Sequence, residues 1–259
     1  MKRDIAALVM AAAVVLLLPL SAGSQTIPRT PDGKPNLSGI WQAVNTAAWD
    51  IEDHSAATGV PAGQGVVEGG ELPYQPWALE KKQENYANRM TLDTEAACEL
   101  PGVPRATYMP FPFQIVQTQD VVQLLYEYAH SLRHVYMDKP HIGDGLGWWM
   151  GDSRGHWEGD TLVVDVRGFN DRTWFDRAGN FHSDALRVVE RYSLIDADHI
   201  NYEATIEDPN VFTRPWTMSM PLYRRIDRNV QILEYECYTF DDYVDRRPSL
   251  HDADATPLP

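Results

Sequence analysis

From Phe111 onward, apolar and polar residues alternate with a period of two. Phe113 and Ile115 interleave with Gln114, Val116 and Thr118, and Val122, Leu124, Tyr126 and Tyr128 interleave with Gln123, Leu125 and Glu127. Successive side chains of a strand point to opposite faces, so this pattern predicts strands with one buried face. His130-Ser131 reads as a tight turn into a strand over Leu132–Met137, and Thr161–Val166 is short and rich in β-branched residues. Leu186–Leu194 and Ile200–Asp208 flank the turn Asp196-Ala197-Asp198. Trp216, Met218, Met220 and Leu222 repeat the alternation, and Arg228-Asn229 turns into a last strand over Gln231–Tyr238.

The N-terminal part reads differently. Residues 25–38 are rich in Pro and polar residues, and Gly39-Ile40-Trp41 opens an apolar segment. Asn45 or Thr46 is placed to cap a short helix through Ala47, Trp49 and Ile51. Residues 55–76 carry five glycines and three prolines, the composition of a long loop, and Trp77–Met90 is built of good helix formers. Strands joined by short turns, with no alternating strand–helix units, predict a mainly β fold. The expected form is an antiparallel meander of about eight strands that closes into a barrel, since closure removes exposed edges; a sandwich is the alternative. Gly39-x-Trp41 resembles the entry motif of lipocalin-like barrels, which implies an interior wide enough for one small ligand. The expected layout is a single barrel domain over 25–259, with a helical and loop elaboration over 44–100 and a frayed acidic tail over 241–259.

The first 24 residues have the make-up of a signal peptide. Lys2 and Arg3 precede the apolar stretch Ile5–Leu20, and Ala22 and Ser24 are small residues suited to cleavage before Gln25. The expected location is therefore periplasmic or secreted. In an oxidising compartment the two cysteines, Cys98 and Cys237, read as one disulfide, worth about 4–5 kcal/mol in the chain-entropy model. A formal charge of −15 excludes nucleic acid and anionic membrane as partners of the mature chain, because both need a dense basic surface. A small-molecule ligand or substrate is the partner that remains, and no motif encodes an oligomeric state.

The chemistry concentrates in residues 148–192. Gly151-Asp152-Ser153-Arg154-Gly155 matches G-x-S-x-G, but the helix that should follow a nucleophile elbow is absent. Gly143, Gly145 and Gly147 lack the βαβ unit of a dinucleotide site. His182-Ser183-Asp184 is the stronger constellation. If Phe181–Val188 is extended, His182 and Asp184 project to the same side, the histidine as general base and the carboxylate orienting it. Asp171 and Asp176 are the further catalytic candidates, and Asn170, Asp152, Trp148, Trp149 and Trp174 the substrate-binding ones, the tryptophans offering faces for planar ligands or sugars. The competing reading makes Asp176–Asn180 a hairpin turn and His182 a structural hydrogen-bonder. No organic cofactor is implied. A divalent metal held by His182 and Asp184 with His134, His141 or His156 is the weaker alternative, without a local His-x-His pair.

The motifs WMGDS, WEGDTLVVD, GNFHSDAL, VVERY and ATIEDPNVFTRPW resemble those of an uncharacterised group of exported bacterial proteins. The resemblance covers most of the chain after the signal segment and implies a shared fold and export, with no substrate or catalytic assignment. Two functions are thus expected. One is a small-molecule enzyme (isomerase, lyase or hydrolase) using acid–base chemistry on an aromatic, terpenoid or glycosidic substrate in a barrel cavity. The other is a lipocalin-type binding protein for a hydrophobic ligand.

Overall fold

The computed structural model describes residues 27–143, 146–235 and 237; the expected signal segment and the tail 241–259 lie outside them. Nine strands close into one barrel in chain order: β1 Gly39–Ala43, β2 Phe113–Gln117, β3 Val121–Tyr126, β4 Leu132–Met137, β5 Asp152–Glu158, β6 Thr161–Arg167, β7 Arg187–Leu194, β8 His199–Glu207 and β9 Trp216–Arg224. The three helices among the described residues, α1 Pro76–Ala87, α2 Arg89–Leu92 and α3 Arg105–Tyr108, all lie between β1 and β2. The mainly β barrel read from the alternation is what forms, and it is consistent with a lipocalin-like barrel.

One pairing departs from the meander. β4 and β5 run parallel, with Val135 opposite Ser153 and Met137 opposite Gly155, whereas every other neighbouring pair is antiparallel. A parallel pair needs a crossover connection, and residues 138–151 supply it. β5 also has no readable alternation, because its inward positions are Ser153 and Gly155. A Cβ on Gly155 would stand 2.7 Å from both Met137 Sδ and Val135 Cγ1, so only glycine lets β4 and β5 lie this close.

The barrel is full. Register places Phe113, Leu124, Val135, Val164, Val188, Tyr192, Tyr202, Ala204 and Met218 on the inner face, and all are buried. A void large enough for water would leave these side chains with accessible surface. They have almost none, so the interior cavity expected for a ligand is packed with side chains instead. At one end Trp41 donates from Nε1 to the Leu37 carbonyl at 2.8 Å, and the Arg224 guanidinium lies 4.1 Å from its ring. Gly39 has a φ of +147°, a conformation L side chains rarely adopt, and a Cβ there would also displace the Arg224 guanidinium, which explains the glycine two residues before the tryptophan. At the other end the β6–β7 connection folds over the mouth, where Phe175 and Phe212 pack edge-on against Trp216 of β9.

Two local expectations are corrected. Residues 45–51 form a turn instead of a capped helix: Asn45 Oδ1 accepts the Ala47 N–H, and the Trp49 and Asp50 N–H groups both return to the Thr46 carbonyl. The described residues of 231–238 form no strand; Tyr235 alone makes a bridge, to Tyr128, and its ring sits 4.4 Å from Phe111. The expected disulfide is present, joining Cys98 and Cys237 across 139 residues of sequence. It ties this closing segment to the loop after α2.

Candidate functional site

Three polar assemblies are candidates for function, and they differ in access. The first lies inside the barrel. Arg133 of β4 and Glu190 of β7 form a two-pronged ion pair, and both side chains are buried. Glu190 Oε1 also accepts the hydroxyls of Tyr192 at 2.9 Å and Tyr202 at 2.8 Å, while Arg133 Nε donates to Ser153 Oγ at 2.8 Å. Ser153 is thus an interior acceptor and not a nucleophile. Every charge here is paired and hydrogen-bonded, as burial demands. Sequence alternation held the signal: Glu190 stands between Val188 and Tyr192, and Arg133 before Val135, on faces otherwise apolar.

The second assembly is the hairpin Phe175–Asn180. Asp176 has no accessible surface and accepts four N–H groups: those of Ile51, Ala178 and Asn180 from the backbone, and the Asn180 side-chain amide at 2.6 Å. Tyr74 donates to Asn180 Oδ1, Asn85 of α1 donates to the Gly179 carbonyl, and Tyr108 of α3 to the Phe175 carbonyl. Burial, and then the neighbouring Asp50 carboxylate, push Asp176 up to about 7. Beside it Arg105 grips Asp93 at 2.7 and 2.9 Å, and Arg177 pairs with Glu95. This hub fastens the N-terminal elaboration to the barrel. Asp176, expected as a catalytic group, is enclosed within it, since a carboxylate that orders this many backbone donors belongs to the interior of the hairpin.

His182 is likewise enclosed. Its Nδ1 donates to the Ser183 carbonyl at 2.8 Å, so Nε2 accepts the Thr173 hydroxyl at 2.7 Å. The ring lies between Phe169 and Phe175, and burial holds it below the usual histidine pKa, against the pull of the Ser183 carbonyl. Residues 182–186 are not a strand; β7 begins only at Arg187. The expected shared face for His182 and Asp184 is therefore absent: the histidine turns inward and Asp184 outward to solvent. The residue between them causes the turn, because Ser183 is anchored through its N–H and hydroxyl to Asp208 at 2.6 and 2.9 Å. No group of His, Cys, Asp or Glu among the described residues has metal-holding geometry.

The third assembly is open. A cleft of about 700 Å³ lies beside the ends of β6, β7 and β8, bounded by Leu146, Gly147, Phe169, Leu186 and Pro209. Its polar lining is Asn170, Asp171, Asp184, Arg167, Arg187 and Glu207. Arg187 is held by Asp165 and Glu207, and Arg167 by Asp165; Asp171 and Asp184 have no ion-pair partner among the described residues. Of the expected site residues, the fold thus collects Asn170, Asp171 and Asp184 in one cleft. Trp148 backs it, pairing with Phe169 and stacking against Gly168. Trp149 lies under Arg172, Trp174 is buried against Phe181, and Asp152 faces the outer wall, bound to Arg154, His141 and the Ile142 N–H.

No protein-family model matches this chain, and no curated protein matches it either.

Proposed function

We propose that the protein is an exported small-molecule enzyme whose site is the cleft at the ends of β6, β7 and β8, acting by acid–base chemistry of Asp171 and Asp184 on a hydroxyl-rich, glycosidic type of substrate. The observation that carries the reading is the convergence of two unpartnered carboxylates and the Asn170 amide on one cleft. Such groups accept the donors of a polyhydroxylated ligand, while the exposed side chains of Leu146 and Pro209 offer apolar surface beside a sugar ring. Two carboxylates on one cleft are also the groups that glycoside cleavage uses. A carrier of a hydrophobic ligand fits less well, because that function needs a dry pocket and the barrel interior is filled. Export rests on the N-terminal segment, and a disulfide accords with an oxidising compartment.

The test uses nitrophenyl glycosides as probes, with NMR to locate binding and nitrophenol release to score turnover. Binding is expected to shift the amides of Asn170, Asp171, Asp184 and Leu186. Asp171→Asn and Asp184→Asn are each expected to lower turnover about a hundredfold or more with binding retained. Binding without turnover in the unaltered protein returns the non-catalytic reading, and shifts confined to another surface overturn the site.

A further inference from the structure

The crossover between β4 and β5 is fixed by backbone hydrogen bonds at Asp138 and Trp148, and between them one histidine is set between two carboxylates of the barrel wall. His141 Nδ1 lies 2.9 Å from Asp152 Oδ2 on β5, and its Nε2 lies 3.5 Å from Asp165 Oδ2 on β6. The two contacts are unequal in kind. With the proton on Nδ1, donated to Asp152, Nε2 presents a lone pair toward an ionised oxygen, and this buried nitrogen has no hydrogen-bond partner. A second proton would turn that acceptor–acceptor contact into a charge-assisted hydrogen bond. Asp165 is the acceptor ready for it: burial pushes its carboxyl up, but the hydrogen bonds from Arg187 and Arg167 outweigh this and bring it down to about 2.

Asp165 is also the link to the cleft. Its Oδ2 accepts from Arg167 Nε at 3.1 Å and Nη2 at 2.8 Å, and from Arg187 Nη2 at 3.3 Å, and both arginines line the cleft. Asp165 is the one carboxylate paired with Arg167 among the described residues. We propose that His141 is a proton-operated pin: its imidazolium form bridges Asp152 and Asp165, competes with Arg167 for Asp165 Oδ2, and releases that guanidinium toward the cleft. Acidification thus locks the crossover to the wall and makes the cleft less negative, which weakens it for cationic or donor-rich ligands. Around His141 the charged groups are Asp152 and Arg154 from β5, Asp165 and Arg167 from β6, and Arg187 from β7, with Tyr136 of β4 under Arg154. The arginines keep their charge, and His141 is the member of this cluster with a ring nitrogen free to take a second proton. The consequence for the ligand rests on the cleft being the site; the pin itself does not.

The test is an NMR titration from pH 8 to 5 of the full chain after removal of any leader, without ligand, following the His141 ring nitrogens, the Nε signals of Arg167 and Arg187, and exchange of the Ile142 amide, which shares Asp152 Oδ2 with the histidine at 3.1 Å. The expectation is that Arg167 Nε moves in step with His141 and that Ile142 exchange, corrected for intrinsic rate, slows about tenfold, the order a partly exposed charge-assisted bond provides. His141→Gln, which keeps a donor for Asp152, is expected to abolish both responses and leave the barrel amides unchanged. An Arg167 signal that ignores His141, or a response that persists in His141→Gln, overturns the pin. If the pin responds while glycosides bind elsewhere, the pin stands and the cleft reading fails; if glycosides bind in the cleft with no His141 response, the reverse holds.

Discussion

Cutting the Cys98–Cys237 disulfide tests how the closing segment is held. The bridge spans 139 residues, and constraining a loop of that size in the unfolded chain is worth about 5 kcal/mol at 25 °C in the chain-entropy model. Among the described residues, Tyr235 packs with Phe111 and Tyr128, and the Leu233 N–H donates to Glu127 Oε2 at 2.9 Å. The barrel ladder closes through β1 and β9, upstream of Cys237 and of these contacts. A Cys98→Ser/Cys237→Ser variant is therefore expected to keep the barrel and lose about 3–5 kcal/mol of unfolding free energy, the lower figure allowing for structure retained in the unfolded chain. Urea unfolding followed by tryptophan fluorescence measures the loss, and hydrogen exchange locates it: faster exchange around 93–98 and 227–237, native protection in β6 to β9. A difference of less than about 1 kcal/mol would refute the reasoning, because the long-range constraint is then not what stabilises the chain. So would loss of barrel protection under native conditions, since the closing segment would then be part of the barrel's own cooperative unit.

Two further outcomes follow from the buried charges. Arg133→Met leaves Glu190 buried without its cation and is expected to cost about 3–5 kcal/mol, whereas Arg133→Met/Glu190→Gln recovers much of it; a double-mutant cycle in urea reads the coupling, and additivity would contradict the pairing. For Asp176, a folded-state pKa raised to about 7 means that the native state holds a proton which the unfolded chain has released. Stability is then expected to fall as pH rises from about 4 to about 7 and to level off above. Asp176→Asn should flatten that slope, and an unchanged pH profile in the variant would assign the slope to other groups.

How legible the molecule is from its sequence varies by region. β3, β7, β8 and β9 could be read because one face of each is buried in the barrel and the other is solvated, so composition records the pleat directly. β5 could not, because its inward positions were chosen to fit Arg133 and Met137 and carry Ser153 and Gly155. The closing segment 231–238 has strand-like composition, yet Tyr235 packs on Phe111 and Tyr128, and nothing local tells that packing from a ladder. The candidate site was legible as a neighbourhood. Asn170, Asp171 and Asp184 do line one cleft, but His182 and Asp176, close to them in sequence, turn into the interior because Thr173, Ser183, Ile51 and Asn180 supply their hydrogen bonds there.

Alternation, turn residues and two cysteines thus sufficed for a β barrel, an N-terminal elaboration and a disulfide, since each is a local or pairwise property of the chain. Three matters depended on tertiary structure: that the barrel is filled around an Arg133–Glu190 pair, that one strand pair runs parallel, and that the accessible carboxylates gather outside the barrel. The physical reason is common to all three. Whether a polar side chain faces water, a partner or a cavity depends on what residues distant in sequence place beside it, and burial makes that choice cost several kcal/mol.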